Sequence, residues 1–147
     1  MSKPIIPENV LQELRLLQEE IDQLQYNIST LEQQKGIIES AILQVHDSLN
    51  IQESLTNKKA GDDILVPIGG TNFLKCTIKD PKNVFVSIGS GVSIYTATDD
   101  AKSRNKIRIE NLKINSQKLH SMQMKFLEQQ NQKKQQAIKI AQQYSLQ

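Results

Sequence analysis

Residues 64–95 read ILVPIGGTNFLKCTIKDPKNVFVSIGSGVSIY, and the reading of this stretch decides the fold. Three blocks of turn chemistry cut it into four apolar runs: Gly69-Gly70-Thr71-Asn72, then Lys79-Asp80-Pro81-Lys82-Asn83, then Gly89-Ser90-Gly91. Within the runs the apolar residues alternate. Ile64, Val66 and Ile68 share one face, as do Leu74, Cys76 and Ile78, then Val84, Val86 and Ile88, then Val92 and Ile94. Period-two spacing of β-branched residues bounded by Gly, Asn, Asp and Pro is the signature of β-hairpins. The spacing predicts two hairpins in series over residues 61–97.

Outward from this centre the period changes. On the N-terminal side one series is Leu14, Ile21, Ile28, Lys35, Ile42 and Leu49, and the other is Val10, Leu17, Leu24, Leu31, Ile38 and Val45. Alternating steps of four and three residues make an amphipathic seam that needs a partner helix. The spacing predicts a helix within residues 7–60, with Pro7 and Glu8 in its first turn and Gly61 as a left-handed cap. Lys35 in the seam reads either as a register device or as a lysine whose stem is buried and whose head reaches water. On the C-terminal side Thr98 is the expected N-cap, with Asp99 and Asp100 in the first turn of a helix over residues 98–147. Its seam is Ile109, Leu112, Leu119, Phe126, Ala137, Ile140 and Tyr144, interrupted by Ser116, Gln123, Gln130 and Lys133. Two helices of matched length leaving one β-rich centre are expected to fold back on each other. This is an α+β chain, a long antiparallel two-helix coiled coil joined by two β-hairpins.

Composition agrees. In 147 residues there is no Trp and only 4% aromatic content, which suits helices burying a narrow stripe better than a thick core. The one cysteine, Cys76, excludes an internal disulfide framework and fits a reducing compartment. No run approaches the roughly 20 apolar residues of a membrane span, and no apolar leader follows Met1. The expected location is cytoplasmic, with no membrane partner. Formal net charge is +2 but unevenly placed. Glu8, Glu13, Glu19, Glu20 and Asp22 make the first helix acidic, and Lys102, Arg104, Lys106, Arg108 and Lys113 make the second basic. The favoured reading is that the two helices pair with each other. A basic helix reading phosphate is the competing one, without base-stacking aromatics to support it.

No catalytic constellation is present, and the chain is not expected to be an enzyme or to need a cofactor or metal. His46 and His120 read as helix-surface residues, and Cys76 as a small apolar residue on a strand face. The glycine pairs precede no helix and lack the Gly-Lys-Ser/Thr ending of a phosphate loop, so tight turns account for them. What remains is binding surface. Four short strands cannot cover their own edges. Ile64, Leu65, Val66, Ile68, Phe73, Leu74, Ile78, Val84, Phe85, Val86, Ile88, Val92 and Ile94 are therefore the expected oligomerisation residues. At the far end Ile5, Ile6, Val10, Leu11 and Leu14 should meet Ile138, Ile140, Tyr144 and Leu146. Two readings stand for that group: seam residues with a loose tail, or an adaptable surface for apolar segments of other proteins.

The order helix, two hairpins, helix resembles the alpha-type subunits of prefoldin. The residues that carry the likeness are Ile64-Leu65-Val66-Pro67-Ile68-Gly69-Gly70, Phe73-Leu74-Lys75, Lys79-Asp80, Asn83-Val84 and Val86-Ser87-Ile88-Gly89-Ser90-Gly91-Val92. Two hairpins point to the alpha type, since the beta type carries one. Residues 129–136, QQNQKKQQ, are more polar than the resemblance leads one to expect near a client-holding end. The resemblance implies a heterohexamer of two alpha-type and four beta-type subunits, whose hairpins join in a β-barrel platform. It also implies capture of unfolded polypeptides at coiled-coil tips without ATP, and their transfer to a group II chaperonin. A coiled-coil nucleic-acid-binding or transcription-associated protein, or a purely structural adaptor, are the alternatives. The tripartite division is 7–60 helix, 61–97 assembly hairpins and 98–147 helix.

Overall fold

Helix α1 spans Glu8–Leu55 and helix α2 spans Thr98–Ser145, with β1 (Asp63–Gly69), β2 (Asn72–Thr77), β3 (Asn83–Gly89) and β4 (Val92–Ala97) between them. The computed structural model describes residues 6–145. Two long helices forming a hairpin with two antiparallel β-hairpins is the architecture expected from the sequence. The chain packs as two units, one of residues 40–113 and one of residues up to 39 with those from 114 onward.

In the unit of residues 40–113, β1 pairs only with β2 and β3 only with β4. The two hairpins repeat one design. Pro67 faces Phe73 and Gly69 faces Asn72, with Ile68 inserted as a bulge. Twenty positions on, Ser87 faces Ser93 and Gly89 faces Val92, with Ile88 inserted. The two-residue loops have positive φ at both positions, 56° and 64° at Gly70 and Thr71 and 51° and 75° at Ser90 and Gly91. That is the type I′ turn, whose twist matches the twist of the flanking strands. Thr71 is β-branched and holds this left-handed conformation at a steric cost that glycine at the equivalent position, Gly91, does not carry.

Hydrogen bonds join the hairpins to the helices. Gly61 N donates to Ile78 O and Ile78 N to Asp62 O, both at 2.8 Å, so hairpin 1 is closed at its base. Thr98 N donates to Lys82 O at 2.8 Å and closes hairpin 2. Two expectations change here. Helix α1 ends at Leu55 through short i→i+3 bonds from Thr56, Asn57 and Lys58, and Gly61 (φ 96°) turns the chain into β1 rather than capping the helix. Thr98 does start α2, but its hydroxyl donates to Pro81 O at 3.1 Å, tying the helix to the inter-hairpin linker.

Below the hairpins, α1 and α2 of this unit pack antiparallel around Val45, Leu49 and Ile109, with Leu112 against them. Asn105 Nδ2 donates to Ser48 Oγ at 3.2 Å and Gln52 Oε1 at 3.1 Å, a polar layer that continues the heptad beyond its last aliphatic. Lys102 Nζ bridges Asp99 at 2.9 Å and Thr56 at 3.0 Å.

In the second unit Val10, Leu17, Ile21, Ile28 and Leu31 of α1 are buried, and Leu14, Leu24, Lys35 and Ile38 are half-buried. Every heptad position read from the sequence therefore faces inward. On α2 the residues read as interruptions are seam members: Ser116, Gln123 and Lys133 are half-buried, and Gln130 is only 3% exposed. Gln130 Nε2 donates to Gln25 Oε1 at 2.9 Å and to Ile21 O at 3.4 Å, while its own Oε1 accepts from Lys134 at 3.1 Å. A heptad track is set by where backbone faces backbone, and a buried glutamine is tolerated once its amide is satisfied.

Candidate functional site

The hairpins display the residues read as assembly contacts. Leu65, Val66, Ile68, Phe73, Leu74, Ile88 and Val92 are exposed, Phe85 is 76% exposed, and Ile64, Val84, Val86 and Ile94 are half-buried. Ile78 is buried, and its backbone is engaged at the base of hairpin 1. So much apolar surface on so few residues is unusual for a chain that works alone. Tyr95, opposite Phe85 across the ladder, stacks on it with ring centroids 4.8 Å apart.

Asp80 fixes hairpin 2 against the linker. Its carboxylate accepts hydrogen bonds from the Tyr95 hydroxyl, from Asn83 Nδ2 at 2.9 Å and from Lys82 N at 2.9 Å. These donors, the phenol first, hold the Asp80 carboxyl down from 3.8 to about 2, and the same contact pushes the Tyr95 hydroxyl up. The sequence marked Asp80 as a turn residue. Nothing in its spacing revealed a partner fifteen residues away.

A groove of about 500 Å³ lies in the same unit, lined by Asp47, Ile51, Leu55, Val84 and Phe85 with the amides of Gln44 and Gln52. Ile51 faces outward from the seam, and its exposure gave no sequence signal that it borders a strand.

In the other unit, Ile6, Leu11 and Ile138 are exposed, Leu14, Ile140 and Tyr144 are half-buried, and Val10 is 5% exposed within the seam. Ile5 and Leu146 lie outside the described residues. An open groove follows α2 here, where Met124, Leu127 and Ile140 alternate with Gln132, Gln135 and Gln143. Met124 and Leu127 lie off the α2 seam and were missed because heptad reading looks only along it. Among the described residues one ion pair joins the two helices, Lys133 to Glu20, so the expected charge pairing along their flanks is limited to that contact. His46 and His120 are exposed and Cys76 is half-buried. No group of three His, Cys, Asp or Glu stands at metal-binding distance among the described residues, and none of the helices is long and apolar enough to cross a membrane.

Helical hairpins carrying paired β-hairpins at one end define a class of coiled-coil chaperone-type subunits. The chain matches the prefoldin subunit profile over residues 10–143, and it belongs to the prefoldin family, on the alpha-type side. It is 28% identical to the prefoldin subunit alpha of Methanopyrus kandleri over 94 residues, which cover 64% of this chain and 60% of that one. It is 34% identical to prefoldin subunit alpha of Pyrococcus horikoshii over 92 residues, covering 57% and 62%. Human prefoldin subunit 5 is 26% identical over 138 residues, covering 89% and 88%. Among solved structures, a chain of filamentous PFD from Methanocaldococcus jannaschii shares the fold with a TM-score of 0.67 at 21% identity, covering 76% of this chain and 92% of that one.

Proposed function

We propose that this chain is an alpha-type prefoldin subunit that assembles with beta-type subunits, two alpha with four beta, and captures unfolded polypeptides without ATP for transfer to a group II chaperonin. The observation that carries the reading is the apolar surface left open at both functional regions: Phe85, Leu65 and Phe73 on the hairpins, Leu11 and Ile138 in the unit of the chain ends. In this reading residues 61–97 are the assembly platform, and residues 7–60 and 98–147 form the arm. A single arm offers little apolar area, so it holds a client weakly. Several arms on one platform raise the effective concentration and hold a chain with many apolar segments. Capture needs no bond-making step and hence no catalytic group.

The test is suppression of aggregation of a denatured protein by the assembled complex. Leu11→Ser combined with Ile138→Ser and Met124→Ser replaces exposed residues and leaves the buried seam intact. Suppression should fall while the mass of the complex stays the same. Full suppression by the triple variant would overturn the assignment of this surface.

A further inference from the structure

Two of the chain's three methionines, Met122 and Met124, stand two residues apart on α2. Both are exposed, at 49% and 52%. Residues two apart leave a helix about 200° from each other, so the two thioethers lie on different faces. Of the two, Met124 lines the open groove along α2, and Met122 does not. The other apolar side chains of that groove, Leu127 and Ile140, are half-buried, and the rest of its wall is polar, Gln132, Gln135 and Gln143 included. Met124 is therefore the one exposed apolar side chain in the groove. A thioether suits a surface that must adapt to many apolar partners, because it is unbranched and polarisable.

The same atom is the one that oxidation changes. The buried hydrophobic residues are Val, Leu, Ile and Ala, so among the described residues the core holds no sulfur. A hydroperoxide can thus alter the surface of this helix and leave the seam untouched. In that reaction a sulfur lone pair attacks one peroxide oxygen, the S–O bond forms and the O–O bond breaks. With hydrogen peroxide the departing oxygen leaves as water with both protons, and the two electrons lost by sulfur reduce the peroxide. The product, methionine sulfoxide, is polar and chiral. Its oxygen is an acceptor that an apolar side chain cannot satisfy, so a favourable contact becomes a costly one.

We infer that Met124 is a reversible oxidation site, through which hydroperoxides weaken the hold of this groove on unfolded chains. The inference rests on the capture reading above and names its regulation. Reversal needs a dithiol, delivered by the methionine sulfoxide reductases that act on the two sulfoxide epimers. The dithiol is oxidised to a disulfide, the oxygen leaves as water, and the thioether returns.

Met122 supplies the control, since it has the same chemistry and nearly the same exposure on another face. Wild type, Met124→Leu and Met122→Leu are each treated with hydrogen peroxide and desalted. Dithiothreitol then reverses any disulfide or sulfenate at Cys76 and leaves sulfoxides in place. The tryptic peptide of residues 119–125 carries both thioethers, and its fragmentation in the mass spectrometer locates the added oxygen. Each chain is assembled with untreated beta-type prefoldin subunits and compared with its own untreated sample in suppressing aggregation of a guanidinium-denatured protein. Oxidised wild type and oxidised Met122→Leu should each need about threefold more complex for half suppression. Oxidised Met124→Leu should need no more than before treatment, and the two reductases should restore wild type. Full suppression by wild type converted at Met124 overturns the inference, as does equal loss in Met124→Leu, or oxidation at Met122 that spares Met124. A fall in helical ellipticity or in the mass of the complex on oxidation overturns it too, because the loss would then come from the fold. Absence of suppression by the untreated wild-type complex defeats the capture reading itself, a result distinct from the others.

Discussion

Gln130→Leu should stabilise the chain, and the structure says by how much. The side chain is 3% exposed between the two helices. Its 2.9 Å bond to Gln25 Oε1 is well formed, and its 3.4 Å contact with Ile21 O is long and weak. Removing the good bond costs about 0.5–1.5 kcal/mol net. Gln25 and Lys134 lie at the surface and return to water when released, so no orphaned polar group adds to the cost. A leucine buried at the same seam position contributes about 1.5–3 kcal/mol. The balance is a gain of about 1 kcal/mol, or about 2–4 °C in Tm for a chain of this size. Gln130→Ala, which loses the bond and most of the packing, should instead lose about 1–2 kcal/mol. Urea unfolding of the isolated chain, followed by helical ellipticity, measures all three. A Gln130→Leu variant less stable than wild type by 1 kcal/mol or more would refute the reasoning, because it would mean that the amide layer holds more energy than its geometry allows. The same substitution should loosen register, since a buried polar layer penalises a slipped seam.

Leu49→Ala removes a buried side chain from the cluster with Val45 and Ile109, and should cost about 2–5 kcal/mol in the same assay. Thr71→Gly relieves the left-handed strain at φ 64° but loosens the unfolded chain and gives up the hydroxyl bond to Gly70 O, so the net gain should stay below about 1 kcal/mol. Asp80 has its folded pKa depressed to about 2, so the stability it contributes is complete above its ordinary value of 3.8 and disappears as pH falls through about 2. Asp80→Asn should therefore be less stable than wild type at neutral pH, with the difference fading at the acid end of that window. Tyr95 is displaced in the opposite sense: it stays protonated to higher pH than an ordinary tyrosine, and stability from the contact is lost as pH rises through the raised value. The tyrosinate absorbance of wild type should show one late-titrating phenol, absent in Asp80→Asn.

The elements were legible because each is written in its own period. Alternation with β-branched residues marked the strands, and the four-three spacing from Val10 to Leu49 marked α1 with every position inward. The polar half of the α2 seam was less legible. Gln130 and Lys133 look like breaks until the facing helix supplies Gln25 and Glu20 as partners. The Asp80–Tyr95 contact and the groove of Ile51 with Phe85 were not legible at all. Both join residues from separate elements, and short-range patterning carries no record of such meetings.

The closure of hairpin 1 at its base has a modular consequence. Asp62 and Ile78 sit side by side, joined by a 2.8 Å bond, so the polypeptide leaves the hairpin where it came in. Excising the loop between them would leave two ends close enough to splice, with the helical frame undisturbed. Such a unit can be duplicated or dropped by a single in-frame edit, and each edit changes by two the number of strands that the chain carries.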